Sequence, residues 1–311
     1  MSKVLLTGAS GFVGSATAEA LLKEEHSVKA ALRQTSSLSR VPGGCETVRV
    51  DFLDPDDLEP HLQGIEVIYH IAGATKAASQ EEYDRANAAT TRALLDARGR
   101  ACPGALFVLV SSQSAAGPGG RGATTPYGRS KLLAEEAARH ETNWVVVRPP
   151  AVMGPGDEAA APFFRMAARG FLVTPWVNRG GFCLIYVDDL VRLLLMLPER
   201  PDARQVILQP SWPRTFTWSE FARLMRQAAG RRVFHLRVPA PLVRTAGFLS
   251  EVWGSARGSY PIFDRHKSGE LVCCDWKLDT ADTERLTGWK PQVEPSEAFS
   301  LTMRSMFPQG D

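Results

Sequence analysis

Lys3-Val-Leu-Leu-Thr7-Gly8-Ala9-Ser10-Gly11-Phe12-Val13-Gly14 carries an apolar strand-like run straight into three glycines at regular spacing. Glycine clusters mark ordinary turns in many chains, so the neighbours decide what these mean. An apolar run precedes them and an alanine-rich helical stretch, Val13 to Lys23, follows. That is the context of a phosphate-binding turn between a strand and a helix. Gly8 can take a positive φ, Gly11 lets backbone approach a pyrophosphate, and Gly14 lets the helix lie close to the strand. The helix N-terminus then offers unpaired N–H groups to phosphates, with Ser10, Phe12 and Val13 as further candidate cofactor contacts.

Beyond this turn, short β-branched or apolar runs alternate with helical stretches. Ser27 to Arg33, Thr47 to Asp51, Glu66 to Ile71, Ala105 to Ser111 and Asn143 to Arg148 read as strands; Glu82 to Arg98 and Tyr127 to Arg139 read as helices. The expected fold is α/β, a doubly wound parallel sheet of the Rossmann type over residues 1–150, with a strand and helix returning to it near 182–197. Residues 151–311 are expected to form mainly a smaller α/β substrate lobe, with helices near Ala161 to Arg169, Val187 to Leu197 and Trp218 to Ala229. Thr217 and Glu220 have capping-box spacing, and Gly230 stops the last of these helices. Pro239 to Trp253 is apolar with few charges. It reads as a lid or wall of an apolar pocket in preference to a membrane-touching helix, whose polar face would be richer in Lys and Arg.

Composition narrows the partners. Among 311 residues, 44% are hydrophobic and 23% charged, with a formal net charge of +2, so no strong basic field for nucleic acid is present. The five cysteines have no C-x-x-C spacing, which argues for neither a disulfide framework nor a metal site and fits a reducing cytoplasm. The opening apolar run is too short for a signal peptide, and Phe182 to Leu197 is broken by Asp188, Asp189 and Arg192, so no membrane span is expected.

The segment ending the second strand, Ala30-Ala31-Leu32-Arg33 followed by Thr35-Ser36-Ser37, has no carboxylate for a ribose 2′-hydroxyl. Arg33, with Ser37 nearby, suits a 2′-phosphate, so NADP(H) is expected over NAD(H). Asp51 and Phe52 are placed to meet the adenine, and Ile71, Ala72 and Gly73 to line the ribose side. Tyr127 and Lys131 are four apart and share a helix face. A phenol titrates near pH ~10, and a neighbouring ammonium favours phenolate, so Lys131 is expected to lower the Tyr127 pKa and to hold ribose hydroxyls. Ser112, ending the fifth strand, would hold a substrate oxygen against Tyr127.

TGASGFVG at 7–14, HIAGATKA at 70–77, LVSSQSAAG at 109–117, YGRSK at 127–131, RPPAVMGPGD at 148–157, YVDDL at 186–190 and a closing LTGWKP at 286–291 follow one another in a familiar order. The chain thereby resembles the extended short-chain dehydrogenase/reductases, the NAD-dependent epimerase/dehydratase family, over nearly its whole length. The resemblance implies that Ser112, Tyr127 and Lys131 are the catalytic set and that Asn87 is the helix asparagine next to the cofactor. It also implies that Pro150 and Val152 lie in the segment whose backbone meets the nicotinamide, and that the enzyme is a homodimer. Nucleotide-sugar members typically carry an arginine before the strand matching Leu184 to Val187; Phe182 stands there, with Arg179 and Arg265 as alternative cations. Together with Phe163, Phe164, Phe171 and Trp176, this places the chain nearest the 3β-hydroxysteroid dehydrogenase/dihydroflavonol reductase branch. Reduction or oxidation of a mostly apolar small molecule is therefore the leading expectation. A nucleotide-sugar epimerase or dehydratase comes second, and a non-catalytic NADP-binding sensor third.

Overall fold

The computed structural model describes residues 1–177, 180–257, 261, 263–273 and 275–307. In the first half, β1 (Lys3–Thr7), α1 (Phe12–Lys23), β2 (Ser27–Leu32), β3 (Glu46–Arg49), α2 (Pro55–Leu58) and β4 (Val67–His70) are followed by α3 (Gln80–Asp84) and α4 (Thr90–Ala101). Then come β5 (Leu106–Val110), α5 (Gln113–Ala116), α6 (Pro126–Arg139) and β6 (Trp144–Val147). The second half holds β7 (Ala151–Met153), α7 (Ala161–Ala168), β8 (Phe171–Trp176), β9 (Gly181–Phe182), β10 (Leu184–Tyr186), α8 (Val187–Met196) and β11 (Val206–Leu208). It ends with α9 (Trp218–Ala229), β12 (Phe234–Pro239), α10 (Ala240–Ala256), α11 (Arg265–Val272), β13 (Asp275–Trp276), α12 (Ala281–Thr287) and α13 (Pro295–Met306).

Seven parallel strands form the main sheet in the order β11-β6-β5-β4-β1-β2-β3. The order reverses between β1 and β4, where a doubly wound sheet opens a crevice at the strands' C-terminal ends. Both faces are covered, which is why β4, β5 and β6 are buried at every position instead of alternating. One face packs on α1 and α8 through Leu21, Leu190 and Leu194; the other packs on α4 and α6 through Leu94, Ala134 and Ala138. Only the helix expected to return near 182–197, α8, packs on this sheet; the strand before it, β10, pairs with β7 in a separate two-stranded sheet, and the added edge strand is β11, which the sequence does not mark.

A third apolar cluster gathers Phe164, Leu172, Phe216, Trp218, Phe221 and Phe299. Its rings meet edge to face or tilted, as at Phe221 and Phe299, 5.4 Å apart. Thr217 and Glu220 form the expected capping box on α9, and Gly230 ends it in the left-handed region. The YVDDL and LTGWKP segments prove to be partners. The buried Asp189 carboxylate accepts N–H groups from Gln292 (2.7 Å) and Val293 (3.1 Å), while the Trp289 indole donates to the Asp189 carbonyl (2.9 Å).

The expected continuous helix from Glu82 to Arg98 is interrupted. Residues 85–89 form a π-helical turn between α3 and α4, centred on Asn87. Such a widened turn lets one side chain leave the helix register to make contacts elsewhere.

Candidate active site

The glycine turn is shaped as the spacing implies. Gly8 has φ +82° and lies against the β4 strand end, where a Cβ would fall 2.7 Å from the Ala72 nitrogen. A Cβ at Gly14 would fall 2.0 Å from the Gly8 carbonyl oxygen, so α1 can reach the turn only without a side chain there. Helix α1 has no side-chain cap and no acidic residue in its first turn. A close backbone cradle at an uncapped, unneutralised helix N-terminus fits a dinucleotide pyrophosphate. The Phe12 ring lies against the loop after β7, 3.3 Å from where a Gly154 Cβ would be, and Val13 packs on the core.

Behind the turn, Thr7 and the end of β4 are joined by a buried polar chain. The Thr7 hydroxyl accepts the Ile71 (3.2 Å) and Ala72 (3.0 Å) N–H groups and lies 2.8 Å from His70 Nδ1. His70 Nε2 is 3.0 Å from the Thr91 hydroxyl, which donates to the Asn87 carbonyl at 2.6 Å. Because the Thr91 proton is committed to Asn87, Nε2 donates and Nδ1 accepts from Thr7. Burial first, and the Lys131 ammonium second, hold the His70 pKa down at about 3, so the ring stays neutral and the chain is satisfied throughout.

Asn87 links this chain to α6. Its Oδ1 accepts the Ala74 N–H (2.9 Å), and its Nδ2 donates to the Ala74 carbonyl (3.1 Å) and to Ser130 Oγ (2.8 Å). Helix α6 begins where it does because Thr125 caps it, accepting from Gly128 N at 3.0 Å, with Pro126 in the first turn. Gly128 is required by packing: a Cβ would sit 2.3 Å from the Ser114 carbonyl. That contact seats α6 on the segment carrying Ser112, whose hydroxyl acts on the Tyr127 phenol by favouring its charged form. Ser112 also accepts the Ser114 N–H at 3.1 Å. Ser111, by contrast, turns away and donates to the buried Glu135.

Tyr127 and Lys131 share a helix face, but the expected depression of the phenol pKa is not found. Burial pushes Tyr127 up to about 12, against a smaller downward pull from Ser112, and the Glu270 carboxylate adds to the rise. Lys131 is 5% exposed and donates to the Val110 carbonyl at 2.7 Å. Desolvation lowers its pKa to about 8, partly offset by Glu135. Gly73 lies against Asn87 and Lys131, its missing Cβ 2.6 Å from Asn87 Oδ1 and 3.5 Å from Lys131 Nζ.

The other expected cofactor contacts divide. Arg33 and Ser37 are exposed on the loop after β2, whose carbonyls at Arg33, Gln34 and Ser36 all accept from Arg49 (2.6–3.0 Å). The Asp51 carboxylate is exposed and accepts the Leu53 N–H, whereas the Phe52 ring is core, 6% exposed. Ile71 and Val152 pack against the core, with Ala72 and Gly73 at the crevice end of β4 and Pro150 buried just before β7.

The proposed apolar pocket wall is not where it was expected. Phe163, Phe164 and Phe182 belong to the third core cluster, with Phe182 4.7 Å from Trp218, while Phe171 (40%) and Trp176 (50%) are exposed. Arg179 lies outside the described residues, and Arg265 pairs with Glu251 at 3.2 Å. What the second half brings to Tyr127 is polar. Glu270 on α11 accepts from Ser114 Oγ at 3.3 Å and pairs with Lys267 at 3.0 Å. Indole N–H groups of Trp276 (3.0 Å) and Trp218 (3.2 Å) donate to the Glu270 and Leu271 carbonyls and fix that helix. Neither the polar chain nor Glu270 was marked in the sequence; both are assembled from residues far apart in it.

The lowered Lys131 pKa has a sign that can be checked. The native state binds fewer protons at Lys131 than the unfolded chain, so its stability should rise with pH from near 8 toward 10.5. In urea unfolding of the cofactor-free protein, wild type should gain about 1 kcal/mol on Lys131→Met between about pH 7 and about pH 9. A difference that is flat with pH contradicts the buried, destabilised ammonium.

Residues 4–208 match the NAD dependent epimerase/dehydratase family. The chain is 30% identical to a ceramide reductase of Caulobacter vibrioides over 285 residues, covering 89% of this chain and 86% of that one. It is 28% identical to a 3 beta-hydroxysteroid dehydrogenase/Delta 5-->4-isomerase of Mycobacterium tuberculosis over 278 residues, 78% and 74% of the two chains. The fold is shared with the UDP-glucose 4-epimerase of Thermotoga maritima, with a TM-score of 0.74 at 18% identity over 98% of each chain. With its parallel sheet and its glycine turn, the chain belongs to the NAD dependent epimerase/dehydratase family, the extended short-chain dehydrogenase/reductases, as an NAD(P)-dependent oxidoreductase.

Proposed function

We propose that the enzyme reduces a carbonyl group of a mostly apolar small molecule, with Tyr127 as proton donor and NADP(H) preferred over NAD(H). The placement of Tyr127 and Lys131 on one face of α6, seated on the segment that carries Ser112, supports this reading. With its pKa pushed up to about 12, the phenol is held as O–H at neutral pH, ready for an oxygen that gains charge. The same groups, run in reverse, would serve oxidation of a secondary alcohol. Ser112, close to Tyr127, orients the substrate oxygen, and Lys131, near Gly73, is assigned to the ribose hydroxyls. When bound, the reduced nicotinamide supplies the hydride.

An apolar substrate is favoured by similarity to proteins named for ceramide and 3β-hydroxysteroid chemistry. Phe182, packed on Trp218, offers no cation to a nucleotide-sugar pyrophosphate. The Ser114, Lys267 and Glu270 group beside Tyr127 favours a substrate with a hydroxyl or amide close to the reacting carbonyl. The cofactor preference rests on Arg33, exposed at the end of β2 in a segment free of carboxylates from Ala30 to Arg40.

Tyr127→Phe should lower turnover of NADPH with a bulky apolar ketone by about 10²-fold or more while cofactor binding persists. Unchanged turnover would remove Tyr127 from the mechanism. Arg33→Ala should weaken NADPH binding by about 1.5–3 kcal/mol and leave NADH nearly unaffected. Titration of both cofactors checks this, and equal losses would reduce Arg33 to a structural part.

A further inference from the structure

Helix α10 is built inside out. On an ordinary surface helix the large apolar residues face the core. Here Leu242, Leu249 and Trp253, at helical spacing with Phe248 and Val252 beside them, are between 51% and 62% exposed. The buried side carries Val243, Gly247 and Gly254. Gly247 seats the helix on α11, where a Cβ would fall 2.4 Å from Ser268 Oγ and 2.6 Å from the Asp264 carbonyl. The helix therefore packs through small residues and presents its bulky ones, and it cannot be the inner wall of a pocket as its composition first implied. Strand β12, which runs directly into α10, adds Phe234 (71% exposed) and Leu236 (49%) at alternate positions of one face. Exposed apolar surface of this extent marks an interaction site.

Charge identifies the partner. Residues 231–257 contain five arginines and one carboxylate, Glu251, which is already paired with Arg265 at 3.2 Å. The Arg257 guanidinium lies 3.5 Å from the centre of the Trp253 ring, and Arg237 lies 5.5 Å from that of Trp176. An indole with an arginine over its face suits the boundary of a bilayer, where the ring meets the acyl chains and the cation meets the phosphates. No helix among the described residues is long and apolar enough to cross a membrane. We propose that α10 and β12 form a docking surface for an anionic phospholipid bilayer, lying in its interface. This rests on exposure and charge alone and stands apart from the proposed chemistry.

The full chain should co-sediment with phosphatidylcholine vesicles containing about 30% phosphatidylglycerol, less with phosphatidylcholine alone, and less again at high salt. Leu249→Glu with Trp253→Glu should cut the bound fraction by about tenfold or more, with melting temperature and NADPH-induced stabilisation retained. Arg244→Ala with Arg257→Ala should keep the weak binding to neutral vesicles and lose the preference for anionic ones. Absence of binding by wild type, or binding unchanged in the glutamate variant, overturns the proposal. So does a wild-type dimer that dissociates in that variant when neither form binds vesicles, because the face would then belong to a second copy of the chain.

Discussion

The seating of α6 on the crevice ends of the sheet is the contact on which the rest of the site depends. Gly128 presses on the Ser114 carbonyl with no room for a methyl group, and Ser130 is tied to Asn87. One turn further, the buried Glu135 accepts from Ser111 and Arg148. These attachments reach α5, the π-helical turn at Asn87 and the segments just after β5 and β6, so a helix carrying both Tyr127 and Lys131 is held at the crevice end of the sheet. Preorganisation of this kind lets a phenol and a hydroxyl meet a substrate oxygen without reorganising at the moment of reaction.

The same seating stores unfavourable burial. A neutral histidine, a protonated phenol and an ammonium with a weakened hold on its proton lie within one desolvated region, each displaced from its ordinary pKa mainly by loss of water. Apolar side chains would pack there at less cost. The region persists because the polar chain from Thr7 through His70 and Thr91 to Asn87 leaves no donor without an acceptor. Stability given up at a functional site and regained in the core beneath it is a common arrangement.

Much of the fold was legible because its signals are local. Alternating buried strands and helices, the glycine turn and the Tyr127–Lys131 spacing each lie within a dozen residues of sequence, and β1, α1 and α9 fall where their patterns place them. β11 did not show itself, since three residues carry no period to read. The polar chain and Glu270 were invisible for another reason: their partners come from separate elements, and only the folded backbone brings them together. The pKa of Tyr127 was misjudged because residue spacing reports which groups are near, whereas the shift is set by how much water is lost. The outward face of α10 was misread on the same ground, since composition gives the apolar content of a helix but not the direction in which it faces.

With the polar end of the site on α11 and an apolar helix packed beside it, the second half of the chain joins recognition of a polar group near the carbonyl to a surface suited to greasy surroundings. The central claim is hydride delivery to a carbonyl carbon with the proton from Tyr127. It is tested most directly by incubating the enzyme with NADPH deuterated at the transferring position and a long-chain ketone, then following the label by mass spectrometry. The account predicts deuterium on the carbinol carbon with wild type and almost none with Tyr127→Phe. Label that stays on the cofactor while a nucleotide sugar is epimerised would contradict it.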